Sequence, residues 1–132
     1  MEHHSKYFHS KGRLVFCQRW QPANHVKGVL LIAHGLAEHS GRYAEIAAFF
    51  VANNYAVCCL DHIGHGQSEG PRGFINQFTD YTDTLDIFST QVSDWYPNLP
   101  IFLIGHSMGG LISAQFLIKK QERFAGSILS GP

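Results

Sequence analysis

Three short runs of consecutive apolar residues constrain the fold of this chain more than any other feature. They are Gly28–Ala33, Tyr55–Leu60 and Ile101–Ile104. Continuous runs of this kind are typical of strands that are covered on both faces, whereas strands with one solvated face alternate. Apolar residues at helical spacing lie between the runs, from Tyr43 to Val51 and from Phe78 to Trp95. This alternation of strands and helices predicts a mostly parallel sheet joined by right-handed crossovers.

The N-terminal segment has a different pattern. Tyr7–Phe8 and Leu14–Trp20 predict a β-hairpin that turns at Lys11–Gly12. We expect His3–His4, ahead of this hairpin, to be a solvated tail.

The rest of the chain completes one α/β domain. Thr79 is expected to be the N-cap of the second helix, because its hydroxyl can accept a backbone hydrogen bond there. A further helix is predicted over Ser107–Lys120, and another strand begins at Ser127–Leu129. We therefore predict an α/β fold, with helices on both faces of a mostly parallel sheet, and a single domain over residues 1–132.

Composition and charge exclude several classes of function. The ten basic residues balance the ten acidic ones, and neither sign is concentrated in one stretch. A nucleic-acid partner is therefore not expected. Cys58 and Cys59 are neighbours in a strand and should face opposite ways, so the three cysteines predict a reduced, cytoplasmic setting rather than disulfides. No secretory signal is visible, and no apolar run is long enough for a transmembrane segment.

The segment Gly105–Gly110 carries the chemistry. Its sequence, GHSMGG, fits the G-x-S-x-G nucleophile elbow, in which a strand turns sharply into a helix with a serine at the apex. Glycines on either side, here Gly105, Gly109 and Gly110, let the strand and helix backbones approach closely. Ser107 is therefore the predicted nucleophile, since the N-terminus of the following helix can stabilise developing negative charge.

A second segment at the end of an earlier strand fits the same site. An oxyanion hole in this arrangement uses the N–H of the residue after the nucleophile and one N–H from the loop after an earlier strand. Met108 follows Ser107, and the loop His34-Gly35-Leu36 follows the first buried run. We predict that the N–H groups of Leu36 and Met108 form the oxyanion hole, with His34 and Gly35 as supporting residues.

Three segments together carry a family resemblance: His34–Tyr43, Asp61–Gly70 and Gly105–Gly110. In this order they resemble the monoacylglycerol lipase and lysophospholipase group of α/β-hydrolases, also called serine aminopeptidase-like hydrolases. The resemblance runs from about residue 10 to Pro132. It implies the α/β-hydrolase fold, Ser107 as nucleophile, a small acyl-ester substrate such as a monoacylglycerol or lysophospholipid, and no metal or organic cofactor. A lipid substrate would bring a cytoplasmic enzyme into contact with a membrane surface.

The chain departs from the family's pattern after the elbow. The catalytic acid and histidine follow the nucleophile in this fold, yet the 25 residues after Ser107 include neither Asp nor His. Glu122 lies too close to the elbow helix, and the side chain of His106 should leave the elbow in a different direction from that of Ser107. We therefore expect a fold truncated after about its sixth strand, without the region that shapes acyl specificity, and no turnover by these residues alone.

Other sites are less well supported. His62 and His65 could bind a metal only with ligands from elsewhere, so we interpret them as structural loop residues. Gly64–Gly66 with Gly70 resembles a dinucleotide fingerprint, but the third glycine is one residue late.

Two functional classes stay open. One is an enzyme fragment that needs a missing C-terminal half or a complementing chain. The other is a short non-catalytic relative that binds a partner or a lipid.

Overall fold

The computed structural model describes residues 1–132 and contains six strands and three α-helices that alternate after an initial hairpin. Two short 3-10 helices, Ser40–Tyr43 and Gln121–Arg123, precede α1 and follow α3. The strands and α-helices in chain order are β1 (Glu2–Ser10), β2 (Arg13–Gln21), β3 (Gly28–Ala33), α1 (Ala44–Ala52), β4 (Tyr55–Leu60), α2 (Thr79–Trp95), β5 (Ile101–His106), α3 (Met108–Lys120) and β6 (Gly126–Ser130).

The six strands form one sheet in the order β1-β2-β4-β3-β5-β6. The pairs β4–β3, β3–β5 and β5–β6 are parallel, whereas β2 pairs antiparallel with both β1 and β4. The predicted hairpin joins β1 to β2, and Lys11 and Gly12 have the positive φ values, 54° and 72°, that a two-residue type I′ turn requires. The expected mostly parallel sheet is therefore confirmed.

Helices cover both faces of the sheet. Ala47 and Val51 of α1 pack in a smaller core on one face, while α2 and α3 pack in a larger core on the other. The neighbouring Cys58 and Cys59 lie in the larger and the smaller core respectively, as strand alternation predicts. Every residue of β3 is buried, which explains its continuous apolar run.

Two local expectations were wrong. Thr79 is the first helical residue and not the N-cap, because Phe78 occupies the cap position without a side-chain hydrogen bond. His3 and His4 are exposed, as expected, but they belong to strand β1 and not to a tail. Pairing with β2 orders this segment, since the ring of His3 stacks on Trp20 with centroids 5.3 Å apart.

Strand β6 lies at one edge of the sheet and is mostly exposed. Residues Ile128 and Leu129 are 63% and 36% exposed. No helix in the chain has the length and apolar character needed to cross a membrane.

Candidate active site

Ser107 lies at the sharp turn between β5 and α3, and its backbone adopts a φ of 55° and a ψ of −119°. β5 ends at His106 and α3 begins at Met108, so a single residue makes the change from strand to helix. A positive φ is uncommon for a residue other than glycine, and such strain clusters at functional sites. The serine side chain is exposed at the carboxyl end of β5.

Gly105 and Gly109 are required at this turn because other backbone segments approach them closely. A Cβ on Gly105 would lie 2.6 Å from the carbonyl oxygen of Gly109. A Cβ on Gly109 would lie 2.0 Å from the carbonyl oxygen of Ala33, at the end of β3. The space at Gly110 is less restricted, because its nearest neighbour is Cβ of Pro132 at 3.1 Å. Because Gly105 and Gly109 have no side chains, α3 can begin in direct contact with the ends of β3 and β5.

Backbone hydrogen bonds hold the turn in place. The N–H of Ser107 donates to the carbonyl of Ser130 at 2.7 Å, which ties the end of β6 to the turn. The carbonyl of Ser107 accepts from the N–H groups of Gly110 and Leu111. Met108 is the first residue of α3, so its N–H has no acceptor within the helix and lies at the positive end of the helix dipole.

The loop after β3 lies directly beside Ser107. Ala33 pairs with Gly105, so the ends of β3 and β5 are adjacent. A Cβ on Gly35 would lie 3.2 Å from Cβ of Ser107. The next residue, Leu36, is 59% exposed, and its N–H makes no hydrogen bond within the chain. The structure therefore brings together the two segments that carry the N–H groups of Leu36 and Met108.

Two buried imidazoles, His34 and His62, lie behind this loop. Nδ1 of His34 is 2.7 Å from the carbonyl oxygen of Gly35, and its Nε2 accepts from the N–H of His62 at 3.0 Å. Burial lowers the pKa of His34 to about 4, and it also holds the pKa of His62 well below the ordinary value. Both rings are therefore neutral near neutral pH. Our sequence interpretation of His62 as a loop residue did not anticipate its contact with His34.

A buried carboxylate connects the loop after β4 to the 3-10 helix Ser40–Tyr43. Oδ1 of Asp61 accepts from the N–H of Ser40 at 2.7 Å, and Oδ2 accepts from the N–H of Gln67 at 2.9 Å. Gln18 of β2 adds a hydrogen bond of 2.6 Å to the hydroxyl of Ser40. Asp61 is only 1% exposed, so these N–H donors compensate its burial. Asp61 therefore fixes the loop after β4 and the 3-10 helix Ser40–Tyr43 at the carboxyl edge of the sheet.

Glu38 is a polar residue of this site that our sequence analysis did not single out. Its Oε1 accepts from the hydroxyl of Tyr43 at 2.8 Å, and its Oε2 lies 3.7 Å from Nε2 of His106. The side chain of His106 is therefore directed towards Glu38. No histidine or carboxylate is hydrogen-bonded to the hydroxyl of Ser107 within the chain. An acidic residue two positions after Leu36, in a loop that follows a buried strand, is the signal that could have identified Glu38.

Comparison with known proteins places this geometry in a family. Residues 24–132 match the family described as serine aminopeptidase, S33. The human monoglyceride lipase is 40% identical over 122 residues, which are 92% of this chain and 40% of the lipase. The phospholipase YtpA of Bacillus subtilis is 35% identical over 105 residues, which are 79% of this chain and 40% of the phospholipase. The chain thus spans about two fifths of the length of these relatives.

A solved structure shows the same fold. The thermostable carboxyl esterase from Bacillus coagulans superposes with a TM-score of 0.88 at 25% identity, over 96% of this chain and 43% of the esterase. The sheet order and the turn at Ser107 agree with an α/β-hydrolase fold. Both the sequence match and the fold show that the chain belongs to the serine aminopeptidase S33 family of α/β-hydrolases.

Proposed function

We propose that Ser107 is the nucleophile of a carboxylic ester hydrolase of the monoacylglycerol lipase and lysophospholipase type. The observation that carries this proposal is the strained backbone of Ser107 at the start of α3, with Gly35 packed against it. In a nucleophile elbow, a strained conformation at this point raises the serine hydroxyl above the sheet edge. The N–H groups of Leu36 and Met108, which have no acceptor within the chain, belong to the two segments beside it. A residue that only capped a helix would have no need of the positive φ.

The proposed mechanism assigns one role to each group. The Ser107 hydroxyl attacks the acyl carbonyl, and the N–H groups of Leu36 and Met108 bind the oxyanion that forms. Gly35, Gly105 and Gly109 allow the close approach of backbone segments, and Gly110 supports the start of α3. His34 precedes the loop that carries Leu36, and His106 precedes Ser107; both are supporting residues and take no chemical step.

A histidine base and its orienting acid must come from outside residues 1–132. Within these residues Ser107 has no base, so its hydroxyl keeps the reactivity of an ordinary alcohol. We propose that residues 1–132 are the N-terminal portion of one hydrolase domain, and that a C-terminal half or a complementing chain supplies both groups.

The substrate class follows from the relatives. The human relative is a monoglyceride lipase and the Bacillus subtilis relative is a phospholipase. An acyl glycerol or lysophospholipid is therefore the proposed substrate, with cytoplasmic location and contact with membrane lipid as the setting. Neither a metal nor an organic cofactor has a role in this mechanism.

The second candidate function is a partner- or lipid-binding module without catalysis. The exposed edge strand β6 favours it, since an unpaired edge with exposed Ile128 and Leu129 can pair with another chain.

Labelling with a fluorophosphonate probe distinguishes the two functions. The protein is expressed from its complete reading frame, after the coding DNA beyond the Pro132 codon has been sequenced. Labelling should occur at Ser107 and disappear in Ser107→Ala. Ser127→Ala, which removes an exposed serine of β6, should label like the wild type. Unlabelled wild-type protein that binds a partner through β6 would refute the hydrolase proposal and favour the binding module.

A further inference from the structure

Two buried imidazoles behind the loop that carries Leu36 have no role in the proposed attack on the ester. His34 and His62 are 0% and 1% exposed, and their ring centroids are 4.2 Å apart. They come from different loops, because His34 follows β3 and His62 follows β4. Burying two imidazoles at the active edge of the sheet is costly unless they make specific hydrogen bonds.

The hydrogen-bond partners determine the tautomer of His34. The backbone N–H of His62 can only donate, so Nε2 of His34, at 3.0 Å, must be the unprotonated acceptor. The proton of a neutral ring is then on Nδ1. The carbonyl oxygen of Gly35 can only accept, and at 2.7 Å it receives that proton in a short hydrogen bond.

His62 completes the arrangement from the other side. Its Nε2 lies 2.9 Å from the carbonyl oxygen of His34 and must donate to it. The main chain and the side chain of His62 therefore both bind residue 34. This leaves Nδ1 of His62 without a partner, although it is buried. His62 thus gives up one hydrogen bond while holding the end of β3 and the ring of His34 in one orientation.

The carbonyl oxygen of Gly35 accepts from Nδ1 of His34 at 2.7 Å and, at the longer distance of 3.3 Å, from the N–H of Glu38. The shorter bond to His34 contributes most to fixing the next N–H group. The peptide bond between Gly35 and Leu36 is planar and trans, so its C=O and N–H point in opposite directions. A ring that holds the carbonyl of Gly35 on the buried side turns the N–H of Leu36 away from the core. That N–H is free of internal partners, and Gly35 is packed against Ser107.

We infer that His34, held by His62, is a positioning residue that aims the Leu36 N–H at the oxyanion of the acyl intermediate. The inference rests on the proposed function, because it assigns a role within that same site. Neither ring acts as the base, since both nitrogens of His34 are engaged with the backbone and both rings are closed off from solvent.

Four variants distinguish a specific loss of catalysis from a general loss of core packing. His34→Phe keeps the ring volume and removes both nitrogens. His34→Asn restores a side-chain N–H near the position of Nδ1. His62→Phe removes the bond to the His34 carbonyl but keeps the backbone N–H. His65→Phe is the matched control, because His65 is also buried beside His34 yet bonds only to the carbonyl of Ile63.

The protein from the complete reading frame is assayed with a soluble acyl ester. We expect His34→Phe to lower kcat roughly tenfold to a hundredfold, with KM nearly unchanged. This is less than the roughly 10²–10³ that removal of one oxyanion donor costs, because the Leu36 N–H is still present but is no longer held in position. His34→Asn should recover part of that loss. The kcat of His62→Phe should lie between those of His34→Phe and His34→Asn, and His65→Phe should retain the wild-type kcat. Thermal unfolding of each variant shows whether the folded fraction accounts for a change. An equal loss of kcat in His34→Phe and His65→Phe, or none in either, would overturn the inference.

Imidazole ¹⁵N NMR of the wild-type protein keeps this test distinct from the proposed function. The His34 ring should be the neutral Nδ1–H tautomer at about pH 7, and amide exchange at Leu36 should change in His34→Phe but not in His65→Phe. If the wild-type protein hydrolyses no ester, the proposed function fails and these spectra still decide whether His34 orients the peptide. An Nε2–H tautomer would refute the positioning role whatever the activity.

Discussion

Mild acid should destabilise this protein through its buried histidines. His34 has a pKa of about 4 in the folded chain, because burial disfavours its charged form, against 6.5 for an ordinary histidine. The unfolded chain therefore binds more protons than the folded chain between these two values. Stability from the neutral ring is complete above about pH 6.5 and is lost as the pH falls towards 4. His62, whose pKa is also lowered by burial, acts in the same direction.

The size of the effect follows from the two values for His34. Their difference corresponds to about 3 kcal/mol of unfolding free energy, since one pKa unit is worth about 1.4 kcal/mol. About 2 kcal/mol of this should be lost between roughly pH 7 and pH 5. That is a large share of a typical stability of about 5–15 kcal/mol.

Urea unfolding at a series of pH values measures this loss, with the fluorescence of Trp20 and Trp95 as the signal. His34→Asn removes the titrating ring, so its unfolding free energy should fall by about 2 kcal/mol less than that of the wild type over the same range. His25→Asn, which removes an exposed imidazole, should follow the wild type. Parallel curves for the wild type and His34→Asn would show that the buried ring does not control the acid response.

Three further predictions concern the backbone packing, a cation–π contact and the edge strand. Gly109→Ala should abolish soluble expression, because its Cβ would lie 2.0 Å from a backbone oxygen of β3, whereas Gly126→Ala, with its nearest contact at 3.4 Å, should express normally. Arg19→Ala should lower the unfolding free energy by about 1 kcal/mol, measured in urea, because the guanidinium lies 4.3 Å from the Trp95 ring centroid; an unchanged midpoint would contradict this. Ile128→Lys should reduce self-association in light scattering if the β6 edge drives it, since a charge blocks edge pairing.

The sequence alone determined the elements whose cause is local. Two buried strands have the predicted bounds, Gly28–Ala33 and Tyr55–Leu60, because a short unbroken apolar run is typical of a strand that is covered on both faces. The strand predicted over Ile101–Ile104 continues to His106 in the structure, where it still pairs with β6. The polar ring of His106 does not belong to the apolar run, so the sequence pattern did not include it. The turn at Ser107 was also predictable, because its glycines permit a backbone path that other residues would block.

Only the tertiary structure decided how distant polar groups meet. Thr79 is not the N-cap of α2, because the path of the chain before the helix places Phe78 at the N-cap position. The contact between His34 and His62 joins residues 28 positions apart, through loops that become neighbours only when β3 pairs with β4. Glu38 meets His106 for a similar reason, since β3 also pairs with β5. Apolar periodicity reports which residues a sheet buries, but hydrogen bonds between loops depend on strand order, and strand order is a property of the whole fold.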